Sequence, residues 1–196
     1  MTETLRTLTG LPTTPSSLGE SAVVLIDCQN TYTRGVMELD GVQDALLSTA
    51  ALLDRARSAG IPVIHIQHNA GPGSPYDIDS ESGAIVSTVA PRAGEPVVVK
   101  AYPNSFVGTE LNDLLLQRGA TNLILAGFMT HMCVNSTARG AFNLGYAPTV
   151  VASATATRAL PSGDGTVSAA AMQAASLAAM ADLFAVVVPT PASIPD

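Results

Sequence analysis

The sequence predicts an α/β fold: a single-domain three-layer α/β/α sandwich around a six-stranded parallel sheet, Rossmann-like, in the order 3-2-1-4-5-6. Two observations carry this. Short runs rich in valine, isoleucine and leucine recur along the chain, nearly continuous in apolar residues rather than alternating, as strands covered on both faces must be. Segments with helical spacing separate most of them, and such alternation implies right-handed βαβ crossovers with ligands at the carboxyl ends of the strands. The 196 residues, 47% of them apolar, suffice to bury one ordinary core.

The elements follow in order. Residues 1–20 mix threonine and serine with proline and glycine without a period, which predicts an N-terminal arm that packs on a neighbouring subunit. The main domain then spans 21–196. The strands are "AVVLID" (22–27), "PVIHIQ" (62–67), "PVVVK" (96–100), "NLILAG" (122–127), "PTVVAS" (148–153) and "FAVVV" (184–188). The helices are 42–60, 108–119, 131–146 and an alanine-rich one from Ser168, with Gly60 and Gly119 in the place of left-handed C-caps. Residues 68–95, rich in Gly, Pro, Ser and Asp, break the alternation; a connection that long is a lid or an interface element.

Composition excludes several functions. Lys plus Arg is 9 against 16 Asp plus Glu, a net charge of −7, and no basic cluster could follow a phosphate backbone, so nucleic acid is not the expected partner. Two cysteines are too few for a disulfide framework, and "MTETLRTLTG" has neither a basic nor an apolar leader region, so the expected location is cytoplasmic. Residues 168–188 are apolar enough to raise a membrane span, but alanine dominates them, Gln173 and Asp182 interrupt them, and Leu177, Met180 and Phe184 form one stripe. That is a soluble helix, and no membrane partner is expected.

Reactive groups gather where the strands end: Asp27 and Cys28 after the first, His68 after the second, Lys100 after the third and Cys133 past the fourth. A cysteine at a helix start beside a lysine is expected to ionise near neutral pH. Asp27 can take the thiol proton and pass it to a leaving amine, and the turn "GFMTHMC" offers N–H groups for an oxyanion. Alternation along a strand sends Cys28 away from Asp27, into the core.

Four separated motifs, "LIDCQNTY", "VKAYPNSFVGTEL", "GFMTHMCVNSTAR" and "LGYAPTVVASATATR", resemble in this order the isochorismatase-like cysteine hydrolases, the superfamily of nicotinamidase, N-carbamoylsarcosine amidase and ureidoacrylate amidase. The resemblance spans roughly residues 20–190. It implies a triad of Asp27, Lys100 and Cys133, a cis peptide at Phe128–Met129, an oxyanion hole of the Met129 and Cys133 N–H groups, and a homo-oligomer, dimer or tetramer. It also implies hydrolysis of an amide, ureido or carbamoyl bond in a small molecule.

Departures from the family pattern matter. His65, His68 and His131 lack the Asp-x-His spacing by which nicotinamidases hold a metal, so neither a metal nor a cofactor is expected. Tyr32 stands where phenylalanine is usual, and Ser153 where many relatives have an acid. Gln29, Tyr32, His68, Tyr102 and Phe106 are the candidate substrate contacts, although His68 fits a turn residue and Tyr102 and Phe106 fit the core as well; His131 reads as structural support for the elbow. Two other readings remain open on sequence alone: acid-catalysed cleavage of an enol ether by Asp27, and a non-catalytic module that binds a metabolite or partner through 68–95.

Overall fold

The computed structural model describes residues 2–163 and 165–196. In chain order the strands are β1 Ser21–Ile26, β2 Val63–His68, β3 Val97–Lys100, β4 Asn122–Phe128, β5 Ala147–Ala156, β6 Leu160–Ser162, β7 Gly165–Val167 and β8 Val186–Val188. Six of them form one parallel sheet in the order β3-β2-β1-β4-β5-β8, the expected arrangement, since β8 is the sixth strand of that sheet. β6 and β7 pair antiparallel as a separate hairpin that the strand reading missed. The helices are α1 Leu5–Leu8, α2 Val42–Ala59, α3 Leu111–Gln117, α4 Asn135–Asn143 and α5 Ala169–Ala181.

The sheet is covered on both faces, which is why its strands carry so few polar residues. Along β1, Val23 and Leu25 enter one core with Leu46, Leu52, Leu53 and Ala56 of α2, while Ala22, Val24 and Ile26 enter the other with Leu111, Leu115, Ala138, Ala141 and Met180. Buried residues of α2 recur at three- and four-residue intervals, so one stripe meets the sheet. Gly60, at φ 66°, ends that helix. Among the described residues no helix is long and apolar enough to cross a membrane.

Strand order reverses between the parallel neighbours β1 and β4, from which the sheet is built towards opposite edges, and an open α/β sheet binds ligands at that point. The two strands approach closely there. Gly127 has φ 115°, and a Cβ on it would lie 2.0 Å from the Ile26 carbonyl oxygen, so only glycine lets β4 run against β1 beside Asp27.

The N-terminal arm differs from the expectation of an irregular extension. It forms the one-turn α1, capped by Thr4, whose hydroxyl accepts from the Thr7 N–H. Arg6 is buried and donates from its backbone to the Asp182 carbonyl and from Nη1 to that of Leu183.

After His68, which ends β2, residues 69–95 are coil and turns apart from a short 3-10 turn at Ser87–Val89 and an isolated bridge of Ile85 to Gln29, and they are pinned at several points. Their backbone bonds residues 28–31 through Asn30 N–H to Ala84, Thr31 N–H to Ser82 and Val86 N–H to Cys28. At the far end Glu95 accepts from Arg57 Nε and Nη2, both at 2.8 Å, and lies 3.0 Å from His65 Nε2. Arg57 first, with the Arg92 N–H and His65, holds the Glu95 carboxyl down at about 2 from its usual 4.5. A depressed acid stabilises the fold above its unfolded value, and the contribution is lost as pH falls from about 4.5 towards about 2. Glu95→Gln is expected to cost about 3 kcal/mol in denaturant melts at pH 7, with the difference from the parent protein vanishing near pH 2.

Candidate active site

Asp27 follows β1 directly and has φ 51°, a left-handed conformation that aspartate tolerates better than most residues but that costs free energy. It is 0% exposed, as befits a group held in place by its surroundings. Lys100 ends β3, two strands away, and its long side chain brings Nζ to 2.8 Å from Asp27 Oδ2. Cys133 lies in Thr130–Val134, a π-type turn that runs into α4 just past the cis Phe128–Met129 peptide. Its Sγ accepts from Lys100 Nζ at 3.4 Å. Strand ends and the elbow thus bring carboxylate, ammonium and thiol together in a site where Cys133 is 6% exposed and Lys100 2%.

The electrostatics differ in one respect from the expected ready thiolate. Burial, and next the Asp27 charge, push the Cys133 thiol up to about 12, outweighing the opposite pull of Lys100. Burial likewise raises Asp27 above the ordinary carboxylate range, although Lys100 lowers it. Neither Asp27 oxygen completes an aligned hydrogen bond, because the contact to Nζ has ion-pair distance without hydrogen-bond geometry. The resting site therefore holds its sulfur as a thiol beside an acid of raised proton affinity, an arrangement suited to passing one proton between the two.

The other expected residues fall in different places. His68 is half-buried and its Nδ1 lies 3.2 Å from Lys100 Nζ. Tyr32 is buried, its hydroxyl donating to that of Tyr76 at 3.3 Å and its ring edge-on to Phe128. Gln29 is 0% exposed and spends its amide on backbone: Nε2 donates to the His68 and Gly83 carbonyls, and Oε1 accepts from the His68 N–H. It ties the end of β1 to β2 and to the 68–95 segment. Phe106 stacks on Tyr146, just before β5 at the amino ends of the strands, and so belongs to the core rather than the site. Tyr102 is 58% exposed, with no aromatic or hydrogen-bonded partner recorded among the described residues. His131 bonds through Nδ1 to the Thr157 hydroxyl and braces the elbow. Ser153 shares a 2.6 Å hydrogen bond with Ser48. Cys28 is a free, buried thiol in the core opposite that of Cys133.

Two residues escaped the sequence reading. Tyr76, from the 68–95 segment, stands edge-on to His68 at 4.9 Å and to Tyr32 at 5.8 Å, next to the lysine's histidine neighbour; an aromatic inside "GPGSPYDIDSE" was the available signal. Arg158 follows β5, and its charge reaches both Tyr76 and His131. Among the described residues its guanidinium meets only Met37 Sδ, at 3.5 Å, while its buried Nε has no partner. No three His, Cys, Asp or Glu side chains among the described residues converge as metal ligands would.

Residues 21–192 match the isochorismatase domain family. The chain belongs to that family. This isochorismatase-family chain is 38% identical to an isochorismatase from Pseudomonas putida KT2440 whose crystal structure superposes with a TM-score of 0.96, covering 99% of this chain and 100% of the other. A cysteine hydrolase from Pseudomonas syringae superposes with a TM-score of 0.83 at 27% identity over 92% of each chain. The ureidoacrylate amidohydrolase RutB of Azorhizobium caulinodans is 30% identical, with 69% of this chain and 78% of that protein covered. The chain is thus an isochorismatase-family hydrolase, a member of the isochorismatase-like cysteine hydrolase superfamily.

Proposed function

We propose that this hydrolase cleaves a C–N bond of a small amide, ureido or carbamoyl compound through a thioester on Cys133. The observation that carries the reading is the contact of Lys100 Nζ with both Asp27 and the Cys133 sulfur in a buried site. Asp27 takes the thiol proton as sulfur attacks the carbonyl carbon, and the new negative charge on oxygen rests on the Met129 and Cys133 N–H groups, the latter in a first turn where helical N–H groups are free of intrahelical partners. Collapse breaks the C–N bond as Asp27 returns its proton to the departing nitrogen. Asp27 then takes a proton from water, whose oxygen replaces sulfur at the carbonyl, and the proton goes back to Cys133. Lys100 stays charged and offsets the negative charge as it moves between carboxylate and sulfur. Because Asp27 must be ionised to start and its proton affinity is raised, the acid limb of turnover is expected to lie above pH 3.8.

Support for C–N chemistry comes from the amidohydrolase and cysteine hydrolase named among its relatives. Arg158 narrows the substrate: an arginine that has no acidic partner among the described residues, and whose charge reaches Tyr76 of the 68–95 segment, favours compounds that carry a carboxylate next to the carbamoyl or ureido group. Two buried free thiols fit a cytoplasmic setting, and a homo-oligomer, with its domain at 21–196, is part of the same reading.

The test is ammonia release from a panel of primary amides, ureas and carbamoyl or ureido acids. Turnover of at least one is expected, best for the acids, and Arg158→Met is expected to raise KM about tenfold for the acids while leaving neutral amides alone. No turnover across the panel would reject the reading.

A further inference from the structure

An ammonium group has three N–H donors, and Lys100 Nζ has three polar neighbours, one reached as an ion pair and two by hydrogen bonds. Two belong to the proposed chemistry: Asp27 Oδ2 at 2.8 Å and Cys133 Sγ at 3.4 Å. The third is His68 Nδ1 at 3.2 Å. A buried lysine side chain with four rotatable bonds does not hold a tip between two mobile charges unless something fixes the third direction.

His68 is itself fixed on every side that the chain can reach. Its N–H donates to Gln29 Oε1 at 3.0 Å, and its carbonyl accepts from Gln29 Nε2 at 2.9 Å, so one amide side chain clamps both backbone groups. Its ring edge meets Tyr76 at a centroid distance of 4.9 Å and 88°. Burial, and then the charge on Lys100, hold the imidazole down at about 4, so it is neutral at physiological pH and presents Nδ1 as an acceptor, with its proton on Nε2.

Resting on the proposed function, we infer that His68 is a positioning residue: by accepting a Lys100 N–H it holds the ammonium between the Asp27 carboxylate and the Cys133 sulfur, with Gln29 holding His68 in register. This replaces the substrate contact expected of both residues. The acceptor is an imidazole nitrogen rather than another carboxylate, so it directs the ammonium without cancelling the charge that the sulfur needs.

The test compares His68→Ala, His68→Asn and His68→Gln by the rate of Cys133 alkylation with iodoacetamide, read by peptide mapping at one pH, and by kcat and KM for whichever amide the panel identifies. Asparagine places its carbonyl oxygen near the Nδ1 position; glutamine places it near Nε2. His68→Ala is expected to slow alkylation and kcat about tenfold with little change in KM, His68→Asn to recover most of the loss, and His68→Gln to recover little. Should the alanine variant fail to fold, the asparagine and glutamine pair carries the comparison. Equal rates in all variants, equal losses in Asn and Gln, or a rise in KM with kcat intact would overturn the assignment. Cys133→Ala run alongside separates this from failure of the proposed reaction: a silent Cys133→Ala with unchanged His68 variants rejects the positioning role alone, whereas an active Cys133→Ala rejects the reaction.

Discussion

Cys133→Ala is expected to lower amide turnover by roughly four or more orders of magnitude while leaving the thermal midpoint within a few degrees of the parent protein. The loss is that large because sulfur forms and breaks a covalent bond in both halves of the cycle, and nothing else near Asp27 can take that part: Cys28 is buried in the opposite core, and its thiol is raised still further by burial and the Asp27 charge. The fold survives because Cys133 contributes only a small side chain to a core otherwise built from residues such as Val24, Ile26, Leu111 and Ala138. Alkylation by iodoacetamide should map to Cys133 and spare Cys28. If the alanine variant instead cleaves isochorismate, Asp27 is acting as an acid on an enol ether and the sulfur is a bystander.

Lys100→Met carries the second large effect, on stability and activity together. Lys100 and Asp27 form an ion pair whose side chains are both fully buried, and removing one partner leaves the other uncompensated, at a cost of about 3–5 kcal/mol. Part of that cost is relieved when Asp27, already raised, takes up a proton. A protonated Asp27 cannot accept from the thiol, so activity is expected to fall by about three orders of magnitude or more. The double variant Asp27→Asn, Lys100→Met removes the charges together and should recover most of the stability with none of the activity. Equal instability of single and double variants in denaturant melts would show that the pair is not the source of the loss.

Much of the fold was legible because a covered parallel sheet leaves a plain mark: "AVVLID", "NLILAG" and "PTVVAS" are apolar on both faces, and helix-spaced segments follow the strands around them. What escaped depended on geometry that side-chain patterns do not record. β5 runs on to Ala156, past a register shift between Leu125 and Gly127, and Ala154 and Ala156 carry no strong strand signal. α3 starts at Leu111 rather than 108, since Gly108 has φ 67° and cannot continue a helix. The β6–β7 hairpin was marked only by the glycines Gly163 and Gly165, and its arms are too short and polar to register as strands.

At the site, residue types at strand ends pointed to Asp27, Lys100 and Cys133, whereas side-chain direction stayed hidden. Gln29 and His68 sit beside the chemistry yet face the chain's own backbone and lysine, and Phe106 belongs to the other end of the sheet. The thiol was expected to be acidic from its helix start and its lysine; burial reverses that, and burial is a property of the whole fold.

The most direct test of the account is the mass of the protein quenched in acid during turnover of an accepted amide, followed by peptide mapping. The account predicts an acyl adduct on the peptide containing Cys133, absent from Cys133→Ala and lost as substrate is exhausted. Full turnover with the Cys133 peptide unmodified throughout, and with Cys133→Ala equally active, would contradict it.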